Sequence, residues 1–109
     1  MIKRIEYNYT TRKYDGSVDG YHVHSDMTYA DVELVLDRHI QITTLRNAWY
    51  AADQAWQTEL ERVYSVHAGD ARYDNRGEAT VELVALKQAW LVAGKVYQEY
   101  KASLRTMMY

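Results

Sequence analysis

The sequence predicts a mainly α protein: a long antiparallel helical hairpin, preceded by a short N-terminal β-hairpin and packed into a four-helix bundle by dimerisation. Three observations carry that expectation. From Ala79 to Met107 a seam of Ala79, Leu83, Leu86, Trp90, Ala93, Tyr97, Tyr100, Leu104 and Met107 recurs in steps of three and four, with no proline in the chain. That is the period of one helix lying along another. Upstream, Val35, Ile42, Trp49, Trp56 and Val63 recur every seven residues. Before both, residues 1–25 are rich in tyrosine and carry two Asp-Gly turn dipeptides, Asp15-Gly16 and Asp19-Gly20.

A chain of 109 residues with 48% hydrophobic and 26% charged residues reads as one small globular domain, 1–109, and not as a disordered one. No apolar run approaches the ~20 residues of a membrane span, and Met-Ile-Lys-Arg-Ile-Glu lacks the apolar block of a secretory signal. With no cysteine there is no disulfide framework and no thiolate chemistry. The expected setting is cytoplasmic, with no membrane partner.

Taken in order, residues 2–14 read as a strand with Ile5, Tyr7, Tyr9 and Thr11 on one face. Either Asp-Gly supplies the turn, and Tyr21 to His24 returns in extended form. A lone hairpin is marginal in water, so it must cover a helix or meet another chain. Helix one is expected over 28–68: Thr28 followed by Asp31 forms a capping pair, and Gly69 is a natural stop. Helix two is expected over 76–107, capped from Asn75. The short connection makes the pair antiparallel, with Trp90 over Ala52, Trp49 over Ala93 and Trp56 near Leu86.

Helix two also has apolar residues outside its seam, among them Val81, Val84, Leu91, Val92 and Val96. A helix apolar on two sides is buried on two sides. Val84, Leu91 and Val92 are therefore assigned to an interface between copies, which makes the protein a homo-oligomer.

The functional expectation follows from what is scarce and what is abundant. No His-Glu-x-x-His, phosphate-loop or dinucleotide fingerprint is present, and no serine sits in a nucleophile motif. No enzyme and no cofactor are expected. His22 and His24, at i and i+2 on a strand, are a weak metal pair that two ligands alone do not complete. In contrast, eleven tyrosines and three tryptophans, with no phenylalanine, suit surfaces that are half wet or that bind. Tyr7, Tyr9, Arg12, Lys13, Tyr14 and Tyr21 form the expected contact surface for another protein, in a non-enzymatic interaction module that could inhibit its partner. The alternative uses the same basic, aromatic segment to bind or sequester a nucleotide or nucleic acid. The acidic block that follows (Asp15, Asp19, Asp26, Asp31, Glu33 and Asp37, with no lysine or arginine between) offers those cations internal partners instead.

Overall fold

In a computed structural model the chain is mainly helical, with a three-stranded antiparallel sheet at its N-terminus followed by long helices. The structure describes the backbone of residues 1–107 and the side chains of residues 1–105, so the seam residue Met107 lies outside the described side chains. The order is β1 (Lys3–Asn8), β2 (Lys13–Val18), β3 (Tyr21–Asp26), α1 (Tyr29–Tyr64), α2 (Ala68–Ala71) and α3 (Val81–Met107). Short 3-10 turns at Ser65–His67 and Asn75–Glu78 flank α2. The chain divides into two compact units, Met1–Thr44 and Leu45 onward.

In the first unit the expected hairpin is a three-stranded meander, because the first turn comes earlier than either Asp-Gly. The Asn8 side chain accepts hydrogen bonds from the backbone N–H of Thr10 and Thr11 at 3.0 and 3.3 Å, and Arg12 N–H bonds back to the Asn8 carbonyl at 2.8 Å. Arg12 takes a positive φ of 58° to close the turn. An asparagine side chain that mimics a backbone turn is a local signal that competes with strand continuation. Asp15-Gly16 consequently lies inside β2, while Asp19 (φ 53°) and Gly20 (φ 85°) make the two-residue β2–β3 turn. Two positive φ angles match the twist that antiparallel strands require.

The sheet covers the start of α1. Val18, Val32 and Leu36 are fully or almost fully buried together, with Ile5, Tyr14, Val23 and Ile40 packed around them. The helix therefore buries Val32 and Leu36, one turn apart, where the heptad reading had placed Val35; the sheet covers the off-seam Leu36 without a second chain. Thr28 caps α1 by accepting from the Asp31 N–H at 3.2 Å.

In the second unit α1 and α3 run antiparallel. Trp49 meets Tyr97, with ring centroids 5.5 Å apart, and Trp56 meets Trp90 at 5.2 Å. Higher residues on one helix thus face lower ones on the other. Trp56 sits in the expected layer with Leu86, alongside Leu60, Ala68, Ala71 and Leu83. The large-over-small pairing differs in detail. Trp49 lies over buried Gly94, where an added Cβ would come within 2.7 Å of its Nε1, and Trp90 packs beside Trp56. From Leu83 to Leu104 every seam position of α3 is buried or half-buried, whereas Ala79 precedes the helix and is exposed.

The connection is more structured than a polar loop. Ser65, at φ 50°, ends α1 before Gly69, and Gly69 itself lies within α2. Asp74 caps the turn at Asn75–Glu78 through the Arg76 N–H at 2.8 Å, and Thr80 caps α3 through the Leu83 N–H at 3.1 Å. Hence α3 begins at Val81 and not directly after Asn75.

Candidate functional site

The pairing registers fix which side chains share each sheet face. Ile5 lies opposite Gly16 and Tyr7 opposite Tyr14, so these residues and Lys3 take the side toward α1. Arg4, Glu6 and Asn8 take the other side with Ser17, Asp15 and Lys13. The six expected contact residues are divided by this arrangement. Tyr9, Tyr7, Tyr14 and Tyr29 form a continuous edge-to-face ladder, with successive centroids 4.9, 5.0 and 6.0 Å apart. It grades from Tyr9, 85% exposed in the β1–β2 turn, to half-buried Tyr14 against the core. Arg12 and Lys13 are exposed at the same turn. Tyr21, 79% exposed, stands at the opposite end of β2, beside the second turn.

The cations of this segment are used unequally. Lys3 pairs with Asp37 at 2.8 Å and Glu33 at 3.5 Å, and the Asp37 hydrogen bond holds the lysine pKa above its ordinary value. Arg4 pairs with Glu6 at 2.7 Å. Only Arg12 and Lys13 of these four lack an ion pair among the described residues. This gives the basic segment half the free charge that phosphate binding would draw on.

A polar network crosses the other face. Asn8 donates to Asp15 at 3.0 Å, Ser25 donates to the other Asp15 oxygen at 2.6 Å, and His22 Nε2 lies 2.8 Å from the Ser25 hydroxyl. The bonds from Ser25 and Asn8, in that order, hold the Asp15 carboxyl below the usual carboxylate range. Since the serine proton is committed to Asp15, His22 must donate to Ser25. That polarity is the reverse of what activates a nucleophilic serine.

The histidine pair does not form. A register shift leaves Val23 unpaired between His22, opposite Ser17, and His24, opposite Gly16. Ser17 and Gly16 alternate across β2, so the bulge turns the two imidazoles to different faces. His24 instead contacts Asp26 at 3.2 Å. Among the described residues no group of three His, Cys, Asp or Glu side chains could hold a metal ion.

The second unit contains an arrangement the sequence reading missed. Arg72, between α2 and the following turn, reaches back to α1, pairing with Asp53 and donating to Gln57 at 3.0 Å. Its guanidinium lies 4.4 Å from the Trp56 ring centroid and 5.1 Å from that of Trp90. Lys87 approaches Trp56 from 5.7 Å and pairs with Glu78. With Tyr73 and Asp74 these residues line an open cleft of about 510 Å³. Each cation in it already has a carboxylate partner, and the Trp56 indole N–H is satisfied by the Gly77 carbonyl at 3.2 Å. The arrangement is a latch that fastens the connection to α1. An arginine set against two indoles that also pack on each other leaves no sequence period, so only the isolated cation in a polar stretch could have signalled it.

Val84, Leu91 and Val92, assigned to an interface between copies, are all about half exposed on α3, as is Val96, and Val81 is 82% exposed. Together Val81, Val84, Leu91, Val92 and Val96 occupy the side of α3 turned away from the seam that meets α1. No helix of the described residues is long and apolar enough to cross a membrane. No protein-family model matches the chain, and comparison with curated proteins and with solved structures finds no match.

Proposed function

We propose that this chain is a non-enzymatic protein-interaction module, acting by binding a partner protein and working as a homodimer. The observation that supports this most is the apolar face α3 leaves uncovered, from Val81 to Val96. Valine and leucine in that number on one helix face constitute a contact patch rather than scattered surface residues. Two such faces meeting would complete a four-helix bundle from two helical hairpins. The partner surface is the Tyr9 end of the sheet, where Tyr7, Tyr9, Arg12 and Lys13 converge, with Tyr14 beneath supporting the ladder. Rigid aromatics next to an unpaired arginine are the residue types that dominate interface energy.

The test is co-purification from the native host with wild-type protein and with the Tyr9→Ala/Arg12→Ala double variant. Both side chains are exposed, so the melting temperature should not change. A partner protein retained by the wild type and lost by the double variant supports the reading. A stoichiometric nucleotide released from the purified protein on denaturation would overturn it in favour of nucleotide sequestration.

A further inference from the structure

We infer that β1 is a self-complementary edge that pairs antiparallel with β1 of a second copy, joining two three-stranded sheets into one of six strands. The strand order β1-β2-β3 leaves β1 and β3 as the two edges. They are not equivalent. The bulge at Val23 interrupts β3, a common device against further pairing, whereas β1 pairs with β2 in unbroken register from Lys3 to Asn8.

The free hydrogen-bonding groups of β1 can be assigned. Asp19 N–H donates to the Ile2 carbonyl at 2.8 Å, so the even-numbered residues direct their backbone groups toward β2. By the alternation of an antiparallel ladder, Lys3, Ile5 and Tyr7 direct theirs to the open edge. A second β1 can therefore bond only in registers that set these odd-numbered residues opposite one another.

Three such registers overlap substantially, and side-chain charge separates them. Centring the two-fold axis on Arg4 sets each Arg4 against its own copy, and centring it on Glu6 sets carboxylate against carboxylate. Centring it on Ile5 sets Arg4 against Glu6 of the second copy, twice, with Ile5 against Ile5 and Lys3 against Tyr7. Within Lys3–Asn8 this register overlaps as many residues as the one centred on Glu6 and more than the one centred on Arg4. The Arg4–Glu6 pairs then fall at the non-hydrogen-bonded positions, where facing side chains are closest. Arg4 and Glu6 already pair within one chain at 2.7 Å on the face away from α1, so two copies would bring four alternating charges together. Lys3 points to the α1 side, where Asp37 and Glu33 neutralise it, and does not oppose the contact.

The α1 segments that cover the two sheets have room in this arrangement. Helix α1 seats against Gly16 of β2, and β2 strands of the two copies would be three strand spacings apart, ~14 Å. Packed helices need only ~8–10 Å between axes. A single strand pair buries less than a standard stable interface, so the association is weak and concentration-dependent. It involves a different surface from the α3 face and does not depend on that face pairing.

Hydrogen exchange of the full chain tests it directly. The Lys3, Ile5 and Tyr7 amides should exchange freely at ~10 μM and become protected toward ~1 mM, a range set by the affinity expected of so small a contact. Arg4→Glu alone and Glu6→Arg alone should each lose that protection, with self-association weakened about tenfold or more by two like-charge pairs. Mixing the two variants in equal amounts should restore it, because each then offers the charge the other lacks. Circular dichroism and protection of the β2 amides check that both variants fold. Amides at positions 3, 5 and 7 that stay unprotected in wild type at ~1 mM overturn the inference, whatever the variants do. Protection in the mixture no greater than in either variant alone overturns the register.

Discussion

Gly16 and Val32 are in such close approach that β2 has no room for a side chain at this point: an ideal Cβ on Gly16 would stand 2.5 Å from Val32 Cγ1 and 3.0 Å from both terminal carbons of Leu36. The sheet can meet α1 closely because this position is a glycine. Gly16→Ala should therefore push the helix off the sheet and destabilise the protein by about 1–3 kcal/mol, the usual cost of overpacking a core. Gly69 gives the contrast. It is helical, and nothing lies within 4 Å of where its Cβ would be. Gly69→Ala should stabilise by about 0.5–1 kcal/mol through helix propensity and a less flexible unfolded chain. Thermal melts of the two variants should move in opposite directions; a Gly16→Ala protein as stable as wild type would mean that the sheet does not rest on α1 as described.

Trp56 is 1% exposed and combines two roles that substitution can separate. Trp56→Ala should cost about 3–5 kcal/mol, because it empties the layer shared with Leu60, Leu83 and Trp90. Trp56→Phe keeps most of the ring but removes the N–H that satisfies the Gly77 carbonyl. An unpaired buried acceptor costs about 1–3 kcal/mol, so the phenylalanine variant should fall between wild type and alanine. Denaturant titration measures both. A phenylalanine variant as stable as wild type would show that volume alone matters there and that the Gly77 contact contributes nothing.

Acid should act on the sheet through Asp15. Hydrogen bonds from Ser25 and Asn8 lower its pKa below the ordinary value of an aspartate, so its ionised form is favoured in the folded state. A depressed carboxylate contributes stability that is fully present above the unfolded pKa and is lost as pH falls through the folded one. Asp15→Asn should lower the melting temperature at neutral pH. Its deficit relative to wild type should shrink as pH falls from ~5 toward ~2, where the native carboxylate is protonated as well. A deficit that stays constant across that range would count against the network. Asp26 is lowered by the Met27 N–H and His24, and should add to the same trend.

How much of this was legible depended on whether the signal was periodic. The α3 seam from Leu83 to Leu104 was read from spacing alone, because one helix lying along another imposes that spacing over many residues. The sheet was harder. Its first turn depends on a single asparagine side chain folding back on Thr10 and Thr11, while Asp15-Gly16, with the stronger turn composition, serves close packing instead. The bulge that separates His22 from His24 likewise has no compositional signature, so alternation predicted one shared face. The Arg72 latch joins residues from distant parts of the chain, and pairings of that kind are set by tertiary packing. Among the contact residues, Tyr7, Tyr9 and Tyr14 could be recognised as a group from composition, but their grading from solvent to core could not.

The face of α3 turned away from α1 yields the last prediction. Val92 and Leu91 are each about half exposed, so replacing either with aspartate costs an isolated chain little: the carboxylate remains in water. If two copies bury this face in a four-helix bundle, the same carboxylate is trapped without a partner in each copy, and burial of an unpaired charge is among the costliest substitutions available. The two situations therefore separate cleanly. Leu91→Asp and Val92→Asp should leave the helical content and core packing intact yet convert a dimer to a monomer in light scattering at ~10 μM, the concentration range of an ordinary stable interface. Gln98→Glu, on an exposed position of the same helix, should leave the mass unchanged. A wild-type protein that is already monomeric under these conditions would remove the bundle, and the apolar face would then have to be matched to a different protein.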